Sequence, residues 1–266
     1  MQRRHLIAQG ALALAMAISA FSTAHAQSPE WKKIRIGVEG AYPPFSEVGP
    51  DGKLKGFEID LANALCAEMK AECTLVQQDF DGLIPALQAR KVDAIIASMS
   101  ITDERKKVIA FSNSYYNMPA RFVARADAKL EISPTGLKGK KIAVQRATIH
   151  ERFVSEVFKN SQIVRYATQD QAFLDLKSGR VDLTLADLVA ADTGFLKTPG
   201  GKGFAFVGPN FEDPKYFGTG VGAGLRKLDE KTLGKKINDA IAAVRVNGTF
   251  KKLNDKYFEY DIAPKK

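Results

Sequence analysis

Two consecutive series of short apolar runs, alternating between strand-type and helix-type spacing, constrain this chain more than any other feature. In the first, residues 34–39 read as a strand, and residues 58–69 carry a helical face of Leu61, Ala62, Leu65, Cys66 and Met69. Residues 74–77, 83–89 and 92–97 then read as strand, helix and strand. In the second, residues 141–145, 163–166 and 181–185 read as strands, with helices over 148–158 and 171–177 between them. A long helix in the tail places Leu233, Ile237, Ile241 and Val244 on one face and stops near Gly248. Alternation of this kind specifies an α/β class with largely parallel sheets.

The two series echo each other. Leu87-Gln-Ala-Arg-Lys-Val-Asp93 parallels Leu176-Lys-Ser-Gly-Arg-Val-Asp182, and Ile36-Gly-Val-Glu39 parallels Ile142-Ala-Val-Gln145. Two lobes of similar topology account for this; chance agreement between common helix–strand patterns is the competing explanation. In open α/β sheets, ligands bind beyond the carboxyl ends of the strands, where Glu39, Ser98, Gln145 and Asp187 fall. Two extended runs, residues 118–124 and the glycine-rich 218–225, lie where the chain passes between lobes. The second lacks the spacing of a phosphate loop or a dinucleotide fingerprint. The expected lobes are 27–117 together with 221–266, and 118–220 with the hinge segments.

Residues 1–26 are not part of this pattern. Arg3 and Arg4, an apolar stretch, and Ala24-His25-Ala26 form a secretory signal peptide, expected to be cleaved after Ala26. The apolar run is interrupted by Gln9 and Gly10 and is short for a membrane span. The paired arginines weakly suggest twin-Arg export. No cysteine is present there to carry a lipid, so a soluble, periplasmic protein is expected. Cleavage removes two of the charges behind the formal +9 and leaves His150 as the one histidine. Histidine-based metal sites and most histidine-dependent catalysis are then disfavoured. A basic chain raises the question of nucleic acid, but the lysines are scattered, no recognised motif is present and the protein is exported. Cys66 and Cys73, an even and close pair in an oxidising compartment, read as a disulfide tying a helix end to the next strand. The alternative, a redox-active pair, usually has only two intervening residues.

Five segments in order then carry a resemblance: Glu39-Gly-Ala-Tyr-Pro-Pro-Phe45, Gly56-Phe-Glu-Ile-Asp-Leu61, Phe80-Asp-Gly-Leu-Ile-Pro85, Ser98-Met-Ser-Ile-Thr-Asp-Glu-Arg105 and Pro214-Lys-Tyr-Phe-Gly-Thr-Gly220. From about Ile34 to Asp261 the chain resembles the periplasmic solute-binding proteins for polar and cationic amino acids, the lysine/arginine/ornithine, histidine and arginine binders of ABC importers. The resemblance implies an α/β, two-lobed fold with a ligand cleft between lobes joined by extended hinge segments.

It also implies a site. A free amino acid is a zwitterion and needs an anion site beside a cation site. Arg105 would hold the α-carboxylate as a bidentate fork, assisted by the backbone N–H groups of Ser100 and Thr148. Asp187 would take the α-ammonium, with the Ser98 carbonyl and the Ser100 hydroxyl. Tyr42 and Phe80 resemble the aromatic walls that sandwich a basic ligand's stem, and Glu39 stands where the family places an acid against the distal cation. Plainer roles are open to each: helix caps for Ser100, Thr102, Thr148 and Asp187, core packing for Tyr42 and Phe80, and solvation for Arg105 and Glu39. Ala97, Arg146-Ala147 and Ile149 depart from the family pattern.

The expectation is a non-enzymatic, monomeric binding protein that captures a cationic L-amino acid. Arginine is favoured over ornithine, lysine and histidine, and the ligand passes to an inner-membrane ABC permease. No catalytic residue, cofactor or metal is expected. An exported small-carboxylic-acid dehydratase on the same scaffold and an opine-binding protein are the alternatives.

Overall fold

The computed structural model describes residues 31–264; the signal-peptide segment lies outside them. Two five-stranded sheets organise the chain. The first runs Glu72–Gln77, Lys33–Val38, Ala94–Ile95, Gly224–Leu225, Ala110–Phe111. The second runs Gln162–Tyr166, Lys141–Gln145, Leu183–Asp187, Ala120–Arg125, Phe204–Phe211. In each, the first three strands are parallel and the fourth is antiparallel to both neighbours. The echo in sequence is therefore an echo in topology, and the molecule is two-lobed and α/β.

Parallel neighbours require crossover connections, and helices Phe57–Glu68 and Phe80–Gln88 serve the first sheet as Ile149–Val157 and Gln169–Lys177 serve the second. The fourth strand of each sheet is a segment that has just crossed between lobes. The outgoing crossing feeds Ala120–Arg125, and the returning one feeds Gly224–Leu225. The two crossings touch: Val221 N–H donates to Tyr116 O at 2.8 Å and Tyr115 N–H donates to Val221 O at 2.9 Å.

The tail returns to the first lobe, where Leu233, Ile237, Ile241 and Val244 are buried in one cluster with Ile34, Phe57 and Leu61. The tail helix stops where expected, just before Gly248. A π turn, Glu230–Gly234, leads into Lys235–Val246, and Gly248, at φ 79°, separates that helix from a further one, Thr249–Tyr257. The strand expected over 92–97 shortens to Ala94–Ile95. Backbone bonds from Asp93 N–H to Arg35 O at 2.7 Å and from Ile96 N–H to Gly37 O at 3.0 Å continue the contact just beyond it, while the Asp93 side chain is held by Arg35 and Arg226 and Ser98 turns to φ 51°. The helix expected from 83 begins at Phe80.

Cys66 and Cys73 form a disulfide with a Cα–Cα distance of 6.1 Å. It ties the end of Phe57–Glu68 to the edge strand Glu72–Gln77. Among the described residues no helix is long and apolar enough to cross a membrane, and no cluster of metal-ligating side chains is present.

Candidate functional site

The carboxyl ends of the parallel strands in both sheets converge on one cavity. Glu39 follows Lys33–Val38, Gln145 ends Lys141–Gln145, and Asp187 ends Leu183–Asp187. All eight sequence-predicted site residues line it: Glu39, Tyr42, Phe80, Ser98, Ser100 and Arg105 from the first lobe, Thr148 and Asp187 from the second. Its free volume is about 20 Å³, about the room of one water molecule. The lobes stand closed, and groups on opposite sides pair directly.

Three hydrogen bonds make this closure, the first two inside the cavity and the third at its exposed edge. The Tyr42 hydroxyl donates to Asp187 Oδ2 at 2.8 Å, Gln145 Nε2 donates to Glu39 Oε1 at 2.6 Å, and Arg105 Nη2 donates to Ala147 O at 3.3 Å. At the rim Arg146 Nε donates to Asp81 Oδ2 at 2.6 Å. Close approach elsewhere needs Gly194, where a Cβ would lie 2.6 Å from Pro43 O on the facing lobe.

Arg105 sits in the short helix Asp103–Lys106, capped by Thr102, whose Oγ1 accepts from Arg105 N. Its guanidinium lies 5.5 Å from the centre of the Phe80 ring and donates to Ser100 O at 3.0 Å. The hydrogen-bond acceptors that the described residues give it are carbonyls; none is a carboxylate. Burial pulls its pKa down to about 10, with the nearby Arg152 charge adding and Asp187 opposing. Such a fork is chemically suited to a carboxylate that supplies the missing negative charge. Thr148 is also a cap: its Oγ1 accepts from Glu151 N–H and donates to Gln145 O, at the start of Ile149–Val157. A helix start of this kind favours an anion. Ser100 pairs through its backbone with the returning crossover at Val221.

Asp187 is buried, and although it occupies the cap position of Leu188–Ala191 its side chain caps nothing. It receives Tyr42, and His150 Nε2 stands 3.2 Å from its Oδ1 without the alignment of a hydrogen bond. Glu39 is buried with acidic surroundings. Burial pushes its pKa from the usual glutamate range to about 7; the Gln145 bond opposes this, and the charges of Glu58, Asp170 and Asp79 add to it. A carboxyl in such surroundings is chemically suited to a cation. Tyr42 and Phe80 are both lining residues and members of apolar clusters, so their packing role and their wall role coexist.

Three residues near this centre stood outside the predicted set. Gln145 bonds Glu39, the residue it parallels in the echoed segments, so its strand-end position was the available signal. His150 lines the cavity at 4% exposure; its being the one histidine left after cleavage flagged it only as an exception. Glu58, fully buried, accepts from Ser98, Tyr115 and Tyr116. In sequence it is an ordinary acid in a helix's first turn.

Two α/β lobes joined by paired crossover strands, closing on a cavity with unlike charges on its two walls, define a solute-binding protein of the periplasmic type. The chain belongs to the bacterial extracellular solute-binding proteins, family 3, whose family model matches residues 34–260. It is 50% identical over 252 residues to the L-arginine-binding protein of Pseudomonas aeruginosa, covering 94% of this chain and 95% of that one. It is 42% identical to the lysine/arginine/ornithine-binding periplasmic protein of Escherichia coli, covering 95% and 96% respectively. Among solved structures, an ancestral arginine-binding protein bound to arginine superposes with a TM-score of 0.78 at 36% identity, over 85% of this chain and 98% of that one.

Proposed function

We propose that this protein captures a cationic L-amino acid, arginine before ornithine, lysine or histidine, by hinge closure and delivers it to an inner-membrane ABC importer. The observation that carries the reading is charge placed on both walls. Among the described residues Arg105, on the first lobe, bonds no carboxylate, while Asp187, on the second, faces it across the cleft. A zwitterion satisfies both only when the lobes meet around it, so ligand shifts the open–closed equilibrium by its differential affinity. Hinge closure around a ligand is the motion of periplasmic binding proteins.

Specificity for a basic side chain rests on Glu39. An uncharged ligand leaves that carboxyl to be buried without a cation, which selects against it. Entry requires the bonds from Tyr42 to Asp187 and from Gln145 to Glu39 to exchange for bonds to the ligand. The moving bodies are 27–117 with 221–266, and 118–220, turning about the paired crossings at Tyr116 and Val221. The mature chain starts after Ala26 and works in the periplasm as a monomer. It is not an enzyme: a dehydratase substrate lacking an ammonium group gives Asp187 no partner.

Thermal unfolding against the common amino acids, opines and a prephenate-like acid tests this. Ligand at about 100 times its dissociation constant adds ~2.7 kcal/mol to stability. A shift with arginine and its basic relatives is the expected result. No shift with any basic amino acid, or turnover of the prephenate-like acid, overturns the proposal.

A further inference from the structure

We propose that Glu58 is the positioning residue for the ammonium end of the cleft, holding Ser98 so that its carbonyl is the polar group it presents to the ligand. The inference rests on the amino-acid reading given above and adds a residue and a role to it.

Ser98 adopts φ 51°, a left-handed conformation that crowds the Cβ of a residue with a side chain. What offsets this is a two-point clamp. Ser98 N–H donates to Glu58 Oε1 at 2.8 Å, and the Ser98 hydroxyl donates to Glu58 Oε2 at 2.9 Å. With both donors turned to Glu58, the carbonyl is what Ser98 has left for the cavity it lines. An ammonium group is the partner a carbonyl needs.

The clamp is itself built. The Tyr115 hydroxyl donates to Glu58 Oε1 at 2.7 Å, and the Tyr116 hydroxyl lies 3.1 Å from the same oxygen and 2.8 Å from Ser98 Oγ. Glu58 is wholly buried, as are both tyrosines. Its place is set by Gly56, whose φ of 127° lets Phe57–Glu68 start hard against Phe45, where a Cβ would lie 2.4 Å from the Phe45 carbonyl oxygen. A carboxyl in a helix's first turn, facing hydroxyl and amide donors, keeps its acceptor role. No cation pairs with it among the described residues, so the donors it gathers are its reason for being buried. Tyr115 and Tyr116 belong to the outgoing crossover, which places the clamp beside the hinge.

The test compares L-arginine with 5-guanidinopentanoate, which carries the same carboxylate and guanidinium but no α-ammonium. Glu58→Gln replaces one acceptor oxygen with a donor that opposes Ser98. It is expected to weaken L-arginine roughly tenfold or more, while 5-guanidinopentanoate changes by less than about threefold. Tyr115→Phe, which removes one donor and leaves the carboxylate, is expected to show the same selectivity at smaller size. It decides by the same ratio if Glu58→Gln does not fold. Equal losses for both ligands overturn the positioning role and leave Glu58 a structural residue. A wild-type protein that binds no basic amino acid overturns the ligand reading, and this inference with it.

Discussion

Changing pH acts on the cleft through Glu39 with a sign and a size that follow from its surroundings. Its pKa stands at about 7 because it is buried among Glu58, Asp170 and Asp79, with the Gln145 amide offsetting only part of that. A guanidinium or ammonium ligand needs the carboxylate form, so the complex holds fewer protons than the free protein. Affinity for a cation therefore rises with pH up to the free-state pKa and is lost as pH falls through it. For the closed, ligand-free form, whose burial sets that value, ionising Glu39 at pH 5 costs about 2.7 kcal/mol, or about 100-fold in affinity, at ~1.4 kcal/mol per pH unit. The ligand-free fold feels the opposite sign. Its Glu39 holds a proton more tightly than the unfolded chain does, so burying it costs stability as pH climbs from the usual glutamate range through about 7.

The assay is calorimetric titration with L-arginine and L-glutamine from pH 5 to pH 8. Both ligands share the α-carboxylate and α-ammonium and differ at the distal group, so the ratio of the two affinities isolates Glu39. That ratio should climb about tenfold per pH unit up to 7 and then level. In buffers of different ionisation heat, arginine should release about half a proton at pH 7. Glu39→Gln should flatten the ratio and end the release. A ratio that stays constant from pH 5 to pH 8 in the wild-type protein would refute the assignment of Glu39 to the distal cation.

Two further outcomes follow from the same geometry. Arg105→Ala removes the cationic fork that only carbonyls now engage; it should cost about 3–5 kcal/mol of binding for every amino acid, and calorimetry showing unchanged affinity would sink the carboxylate site. The double substitution Cys66→Ser with Cys73→Ser opens a short loop at the back of the first sheet. Denaturant unfolding should show a loss of about 2–3 kcal/mol with arginine affinity unchanged.

Much of this was legible in the chain, for identifiable reasons. The inner strands of both sheets carry short apolar stretches toward their carboxyl ends, and those ends are visible where Glu39, Gln145 and Asp187 break the run. The echoed strands Ile36-Gly-Val-Glu39 and Ile142-Ala-Val-Gln145 end on the two side chains that bond across the cleft. What periodicity could not show was set by tertiary partners. The left-handed turn at Ser98 depends on Glu58, forty residues earlier. The side-chain grip of Arg35 and Arg226 on Asp93 joins residues far apart in the chain and has no local signature. The stop of the tail helix, by contrast, was legible in Gly248, whose positive φ ends it. His150 reached the cavity because helix Ile149–Val157 begins at the cleft, where a side chain one residue past the start packs beside Asp187.

The central claim is that one zwitterion bridges the two lobes with its carboxylate on Arg105, its ammonium on Asp187 and its distal cation on Glu39. Crystallographic determination of the complex with L-arginine tests it most directly. The account predicts a bidentate Arg105 contact, the α-ammonium between Asp187 and the Ser98 carbonyl, and the guanidinium on Glu39 with Gln145 displaced. Arginine bound in the reverse sense, or outside this cavity, would contradict it.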